Sequence, residues 1–266
     1  MFAKLPKHPL NAIPRRALQV KVSWQASRFI LGQAVSPDLP HRPLFRLMRS
    51  MSLLFAGFSS FPSAPRNPTE DLARALQCER VRSDGLHAEI LPVEWEGSWS
   101  RLKAAIEAVR PTTVVLFGLH QRAERLRIEL VARNRRELGH ADAVGGFPSG
   151  PAVLDGPQSL PANLPWNDVA AALRSAGASF EWSTNAGGYL CNDTFYRLAH
   201  YATALGVQRF GFIHVPLSDE AVADTVASEA VPDVFCSVPA ATIERAARAL
   251  AAALHAGADA SQEAYL

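Results

Sequence analysis

Thr113 to Phe117, read Thr-Val-Val-Leu-Phe, is a strand-length run with no polar face. Such a strand has to be covered on both sides, which excludes a sheet that leaves one face to water. The segments on either side alternate in kind. Ser52 to Ala56 is a short apolar strand, Pro68 to Arg82 a helix capped by Asn67, His87 to Val93 a strand, and Trp99 to Val109 a second helical pattern. Further on, Pro165 to Gly177 is predicted to be helix and Ser179 to Ser183 strand, and Pro239 to His255 is the last helix. Alternation of this kind predicts an α/β fold: a single three-layer domain with a twisted, mostly parallel or mixed sheet and helices on both faces. No internal repeat interrupts it.

Asn185-Ala-Gly-Gly-Tyr-Leu-Cys-Asn192 places Cys191 just past a glycine turn and at the start of a helix. Phe195, Leu198, Ala199, Ala202 and Leu205 recur at helical spacing, and Gly206 stands where a left-handed cap would end the run. First-turn amides lack internal partners and carry partial positive charge, so they favour a thiolate and hold an oxyanion formed after attack. A base is at hand in Phe210-Gly-Phe-Ile-His214-Val-Pro216, where His214 ends an apolar strand, and open α/β sheets build their sites at such edges. The acid that orients the imidazole is expected at Glu129, on the polar face of a strand from Arg125 to Ala132. Taken alone, each residue has a plainer reading: Cys191 as a small buried hydrophobe, His214 as a satisfied structural group, and Glu129 as a solvated partner of Arg127.

Together these segments resemble the type I pyroglutamyl peptidases, cysteine peptidases that remove an N-terminal pyroglutamate. Gly57-Phe58-Ser-Ser-Phe61-Pro and the following Asn67-Pro68 resemble the family's opening Gly-Phe-x-Pro-Phe-Gly-Gly and its Asn-Pro, and Leu91-Pro92-Val93 resembles its second strand. An ungapped count from Gly118 puts Glu129 on the family's catalytic glutamate, with Val131-Ala132-x-Asn134 after it. Ala186-Gly-x-Tyr189-x-Cys191-Asn192 and Phe212-Ile-His214-Val-Pro216 then carry the nucleophile and the base. The resemblance runs from about Met51 to the C-terminus. It implies a Cys191–His214–Glu129 triad working through a thioester, with no metal or other cofactor. It also implies a substrate-binding set in which Phe58 and Phe61 flank the flat lactam ring and the main chain at Leu119 meets its polar edge. Asn67 belongs to that set through its motif. Without the resemblance, Phe58 and Phe61 read as core plugs.

Two departures accompany the match. The family's loop Gly-Gln-Ala-Gly-Gly is here Gly118-Leu119-His120-Gln121-Arg122, and the family's arginine ten residues beyond the glutamate is here Gly139. Arg133, Arg135 and Arg136 are all open as replacements for that charge. A non-catalytic relative that binds a small ligand or partner, and a cysteine hydrolase of another amide, therefore stand as alternatives to the peptidase.

At 266 residues and 48% apolar content, the chain can bury one large core, expected over residues 51–266. Residues 1–50 hold nine Lys and Arg against Asp38 alone, a net charge of +8, while the remainder holds 18 against 24, or −6. Six prolines in that basic arm argue against a core of its own. It reads as a targeting segment, as an arm that touches nucleic acid, or as a disordered tail or start-site artefact. The last is preferred, because the family-like sequence begins at Met51. Three scattered cysteines, Cys78, Cys191 and Cys236, fit a reducing cytoplasmic setting and no zinc site. The expected partner is a peptide with N-terminal pyroglutamate, not nucleic acid and not a membrane. The family often forms tetramers, which leaves a homo-oligomer open.

Overall fold

A computed structural model of the chain describes residues 52–78, 85–228 and 235–263. The basic arm expected over residues 1–50 and the end of the helix expected over 68–82 lie outside them. In chain order, β1 (Leu53–Phe58), α1 (Pro68–Cys78), β2 (Leu86–Leu91), α2 (Gly97–Val109) and β3 (Thr113–Leu119) alternate as predicted. Next come β4 (Leu126–Glu129), β5 (Val131–Arg133), β6 (Ser159–Pro161), α3 (Trp166–Ser175) and β7 (Phe180–Ser183). The described chain then runs through α4 (Leu190–Tyr201), β8 (Arg209–Val215), β9 (Leu217–Ser218), α5 (Asp219–Ala227), β10 (Ser237–Val238) and α6 (Ala240–Glu263).

Six strands form the main sheet in the order β2-β1-β3-β8-β4-β7. The first four are parallel, β4 runs antiparallel to β8, and β7 is parallel to β4. The sheet is therefore mixed and mostly parallel. Strand alternation sorts its side chains into two cores. Leu54, Ala56, Val114, Leu116, Phe210 and Phe212 pack with α2 and α4, whereas Leu53, Phe55, Val115, Phe117, Ile213 and Val215 pack with α1, α3 and α6. The same alternation positions the polar groups. His214 follows Phe210 and Phe212 at two-residue steps and so faces α4. Leu126 and Ile128 belong to the other core, which turns Arg127 and Glu129 toward α4 as well.

Two expectations are corrected and one helix is added. The strand expected over Arg125 to Ala132 leaves the main sheet after Glu129, and β5 pairs instead with β6. The cause lies far along the chain: buried Asn192 at the start of α4 accepts from the Arg133 amide at 2.9 Å and donates to the Arg133 and Arg135 carbonyls at 2.7 and 2.9 Å. The Cys191 helix stops at Tyr201, and Gly206, left-handed with φ of 74°, closes the turns that follow rather than the helix. Finally, α5 carries no apolar stripe of usable length in the sequence, since only Ala221 and Thr225 along it are buried.

Because Leu116 is fully buried in the middle of the sheet, Leu116→Ala should destabilise the fold by about 2–5 kcal/mol, as removal of buried leucine side chains does. Urea unfolding of the two proteins measures the difference; a loss near zero would show that the α4-side core is loosely packed.

Candidate active site

The antiparallel pairing of β4 with β8 sets Arg127 opposite His214 and Glu129 opposite Phe212, so Glu129 is the diagonal neighbour of His214. Long side chains reach across such a diagonal. His214 Nδ1 and Glu129 Oε1 are 2.9 Å apart, and neither residue is more than 3% exposed. Arg127 Nε lies 3.6 Å from the same oxygen and its Nη2 donates to Ser183 Oγ at 2.9 Å. Burial pushes the Glu129 carboxyl up, but the hydrogen bond and charge of His214, with Ser183 and Arg127 beside it, outweigh that and hold it below the usual carboxylate range.

Cys191 arrives from the facing layer, as the second residue of α4 after the N-cap Tyr189. The turn before it needs Gly187, whose φ is 83°. Asn192 anchors this helix start to the β5 backbone, and Asp193 accepts from Arg136 Nε at 2.6 Å and Arg197 Nε at 2.9 Å. The thiol is thereby lowered onto the sheet at Gly118, the register partner of His214. A Cβ on Gly118 would stand 2.8 Å from Cys191 Sγ and 2.6 Å from Phe212 Cζ. Burial, with the Glu129 charge adding to it, pushes the thiol up to about 12, and a hydrogen bond from its own amide opposes the shift only in part. Burial thus works against the helix start, which favours the thiolate.

A cavity of about 800 Å³ opens beside these groups, with Phe61, Leu119, His120, Arg122, His140 and Tyr189 on its walls. Phe61 projects from a tight turn closed by mutual backbone hydrogen bonds with Ala64, at 3.1 and 2.8 Å, and Gln121 Nε2 donates to Ser63 O in that turn at 2.8 Å. Phe58 is placed differently. It is 3% exposed and belongs to the α4-side core, its ring 6.4 Å from Phe212. Asn67 is buried too, accepting from the Thr69 amide at 3.0 Å and donating to Ser59 O at 3.0 Å, which fixes the β1–α1 loop as a helix cap does. Of the arginines left open above, Arg136 is committed to Asp193, Arg133 donates to Thr184 O at 3.0 Å, and Arg135 contacts Asn185 at 3.3 Å. None of the three lines the cavity; Arg122 does.

Sequence reasoning left out His120 and the wall formed by Tyr189. Tyr189 Oη donates to Ala141 O at 3.0 Å, and its ring meets Trp95 edge-on at 5.3 Å. Its position inside the cysteine motif was the available signal. Among the described residues no group of three His, Cys, Asp or Glu is arranged to hold a metal, and no helix is long and apolar enough to cross a membrane.

Known proteins resemble this chain in sequence and fold. The family model for pyroglutamyl peptidase matches residues 51–259. The pyrrolidone-carboxylate peptidase of Oceanobacillus iheyensis is 31% identical over 185 residues, 68% of this chain and 92% of that protein. That of Gloeobacter violaceus is 36% identical over 174 residues, 65% of this chain and 85% of its own length. Among solved structures, pyrrolidone carboxyl peptidase from Thermococcus litoralis superposes with a TM-score of 0.71 at 24% identity, covering 79% of this chain and 96% of its own. A variant from Pyrococcus furiosus gives 0.68 at 25%, covering 77% and 98%.

Two outcomes test the geometry. Gly118→Ala should leave a folded protein whose thiol reacts measurably differently from the parent's with a small disulfide reagent, because the added methyl displaces Sγ; unchanged reactivity would place the sulfur elsewhere. Glu129, its carboxyl depressed by folding, contributes stability that is complete above the unfolded carboxylate range, about pH 4.3, and is lost as pH falls through the lower folded value. Glu129→Gln should therefore be less stable than the parent in urea at pH 7, with the gap narrowing below about pH 4; a gap that widens in acid would contradict the assignment.

Proposed function

The chain belongs to the pyroglutamyl peptidase family, and from that premise we propose that it removes N-terminal pyroglutamate from peptides as a cysteine exopeptidase. The observation that carries this reading is the buried 2.9 Å pair of His214 and Glu129, set beside a cysteine that a helix start lowers onto Gly118. Glu129 holds the Nδ1 side of the imidazole, which leaves Nε2 as the base. Burial disfavours a free thiolate, so His214 serves as the base that takes the Cys191 proton. The sulfur adds to the pyroglutamyl carbonyl, and the unpaired amides of the first turn of α4 receive the oxyanion; one such donor is worth roughly 10²–10³ in rate. His214 then gives its proton to the leaving amine, the C–N bond breaks, and a thioester remains. Water, deprotonated by the same histidine, hydrolyses that thioester and restores the thiol.

Recognition of the lactam falls to the cavity. Phe61 supplies the flat apolar wall and Leu119 the main-chain groups for the ring N–H and C=O, while Phe58 packs in the core against Phe212. Asn67 acts on the substrate only through the loop that it fixes.

A fluorogenic pyroglutamyl amide, assayed with parallel titration of free thiols, tests the proposal. The parent protein should cleave it, Cys191→Ala should retain less than a thousandth of the rate, and Glu129→Gln should lose about a hundredfold or more, as loss of a triad's orienting acid does. Residual turnover above a tenth in Cys191→Ala would name the wrong nucleophile. A reactive thiol without turnover favours hydrolysis of another amide, and an inert one favours a binding protein.

A further inference from the structure

His120 is a side chain at this site for which the mechanism above has no use. Its amide donates to Val215 O at 2.9 Å, which pins the residue to the end of β8. Its ring meets that of His214 edge-to-face, with centroids 5.5 Å apart at 78°, and the residue lines the cavity. Yet Nδ1 is buried without a hydrogen-bond partner in the protein. Burial, then the charges of His214 and Arg127, hold its pKa down to about 4. The ring is therefore neutral near pH 7, with one N–H to donate and one lone pair to accept. A buried polar atom without a partner is unfavourable until a ligand brings one.

Where that partner comes from follows from the neighbours. If Phe61 and Leu119 hold the lactam and His214 protonates the leaving nitrogen, a residue packed on His214 and lining the cavity stands on the leaving-group side. We propose that His120 hydrogen-bonds the main-chain carbonyl or amide beyond the scissile bond, so that it selects pyroglutamyl peptides over pyroglutamyl derivatives that end at that bond. This rests on the pyroglutamyl reading above.

Binding measurements on the full chain carrying Cys191→Ala, in which neither ligand is consumed, separate the two claims. The probes are pyroglutamyl-alanyl-alanine and pyroglutaminamide, the latter ending at the amide nitrogen. Adding His120→Phe keeps an aromatic ring against His214 but no polar atom; it should weaken the tripeptide about tenfold, the worth of one hydrogen bond, and pyroglutaminamide by less than a factor of about two. His120→Asn, whose amide can replace the Nδ1 group, should return tripeptide affinity to within about threefold of the His120 protein. Equal weakening of both ligands, no weakening of the tripeptide, or an asparagine variant as weak as the phenylalanine one would each overturn the contact. Failure of pyroglutaminamide to bind while His120 is intact would instead bring down the pyroglutamyl reading, and this inference with it.

Discussion

Glu129 is a carboxylate with no exposure, and a buried charge of this kind persists only when a partner stabilises it. Its Oε1 is held by His214 and approached by Arg127, while Oε2 has no hydrogen-bond partner. The site depends on this one contact. It requires β4 to run antiparallel to β8 with Arg127 opposite His214, because any one-residue slip would turn Glu129 to the other face of the sheet. The reversal of strand direction at β4 thus has a geometric result: it brings the Glu129 carboxylate from a distant part of the chain diagonally onto the His214 imidazole.

The other contacts at the site set where Cys191 lies relative to that fixed pair. Cys191 sits on the opposite layer, so the depth at which α4 lies over the sheet sets how close its sulfur comes. Asn192 ties the helix start to β5, and Asp193 with Arg136 and Arg197 ties the next turn to the loop beyond β5. From below, Gly118 offers a backbone with no side chain, and the rings of Phe195, Phe212 and His214 pack in a row at 5.6 and 4.7 Å. Buried pairs of this kind break expensively when one partner is removed, so they hold geometry even where their net stabilisation is small.

Much of this was legible in the sequence because it depends on local periodicity. The unbroken apolar run at Thr113 to Phe117 demanded covering layers, and the glycine turn before Cys191 announced a helix start. Glu129 was reached by its alternation with Arg127 and by a count along the family's pattern, although its pairing with His214 is a matter of register across 85 residues. What stayed hidden depends on contacts between distant parts of the chain. Nothing near Leu130 signals that the strand ends there; the side chain responsible is Asn192. Arg136 looked available as a free charge, but Asp193 engages it, a pairing 57 residues apart that no spacing rule reveals. Phe58 and Phe61 looked equivalent, yet the end of β1 buries the first and the Phe61–Ala64 turn presents the second to the cavity.

The loop from Leu119 to Arg122 has a further consequence in its lack of glycine. A glycine-rich segment at this place would sample many backbone states when the site is empty and would have to be ordered by whatever binds. Side chains at every position narrow that ensemble in advance, and the tether from Gln121 to the Ser63 carbonyl narrows it again by joining two walls of the cavity. The site is thus preorganised: less conformational freedom remains for a ligand to remove. The same rigidity leaves the cavity less able to adapt to ligands of another shape.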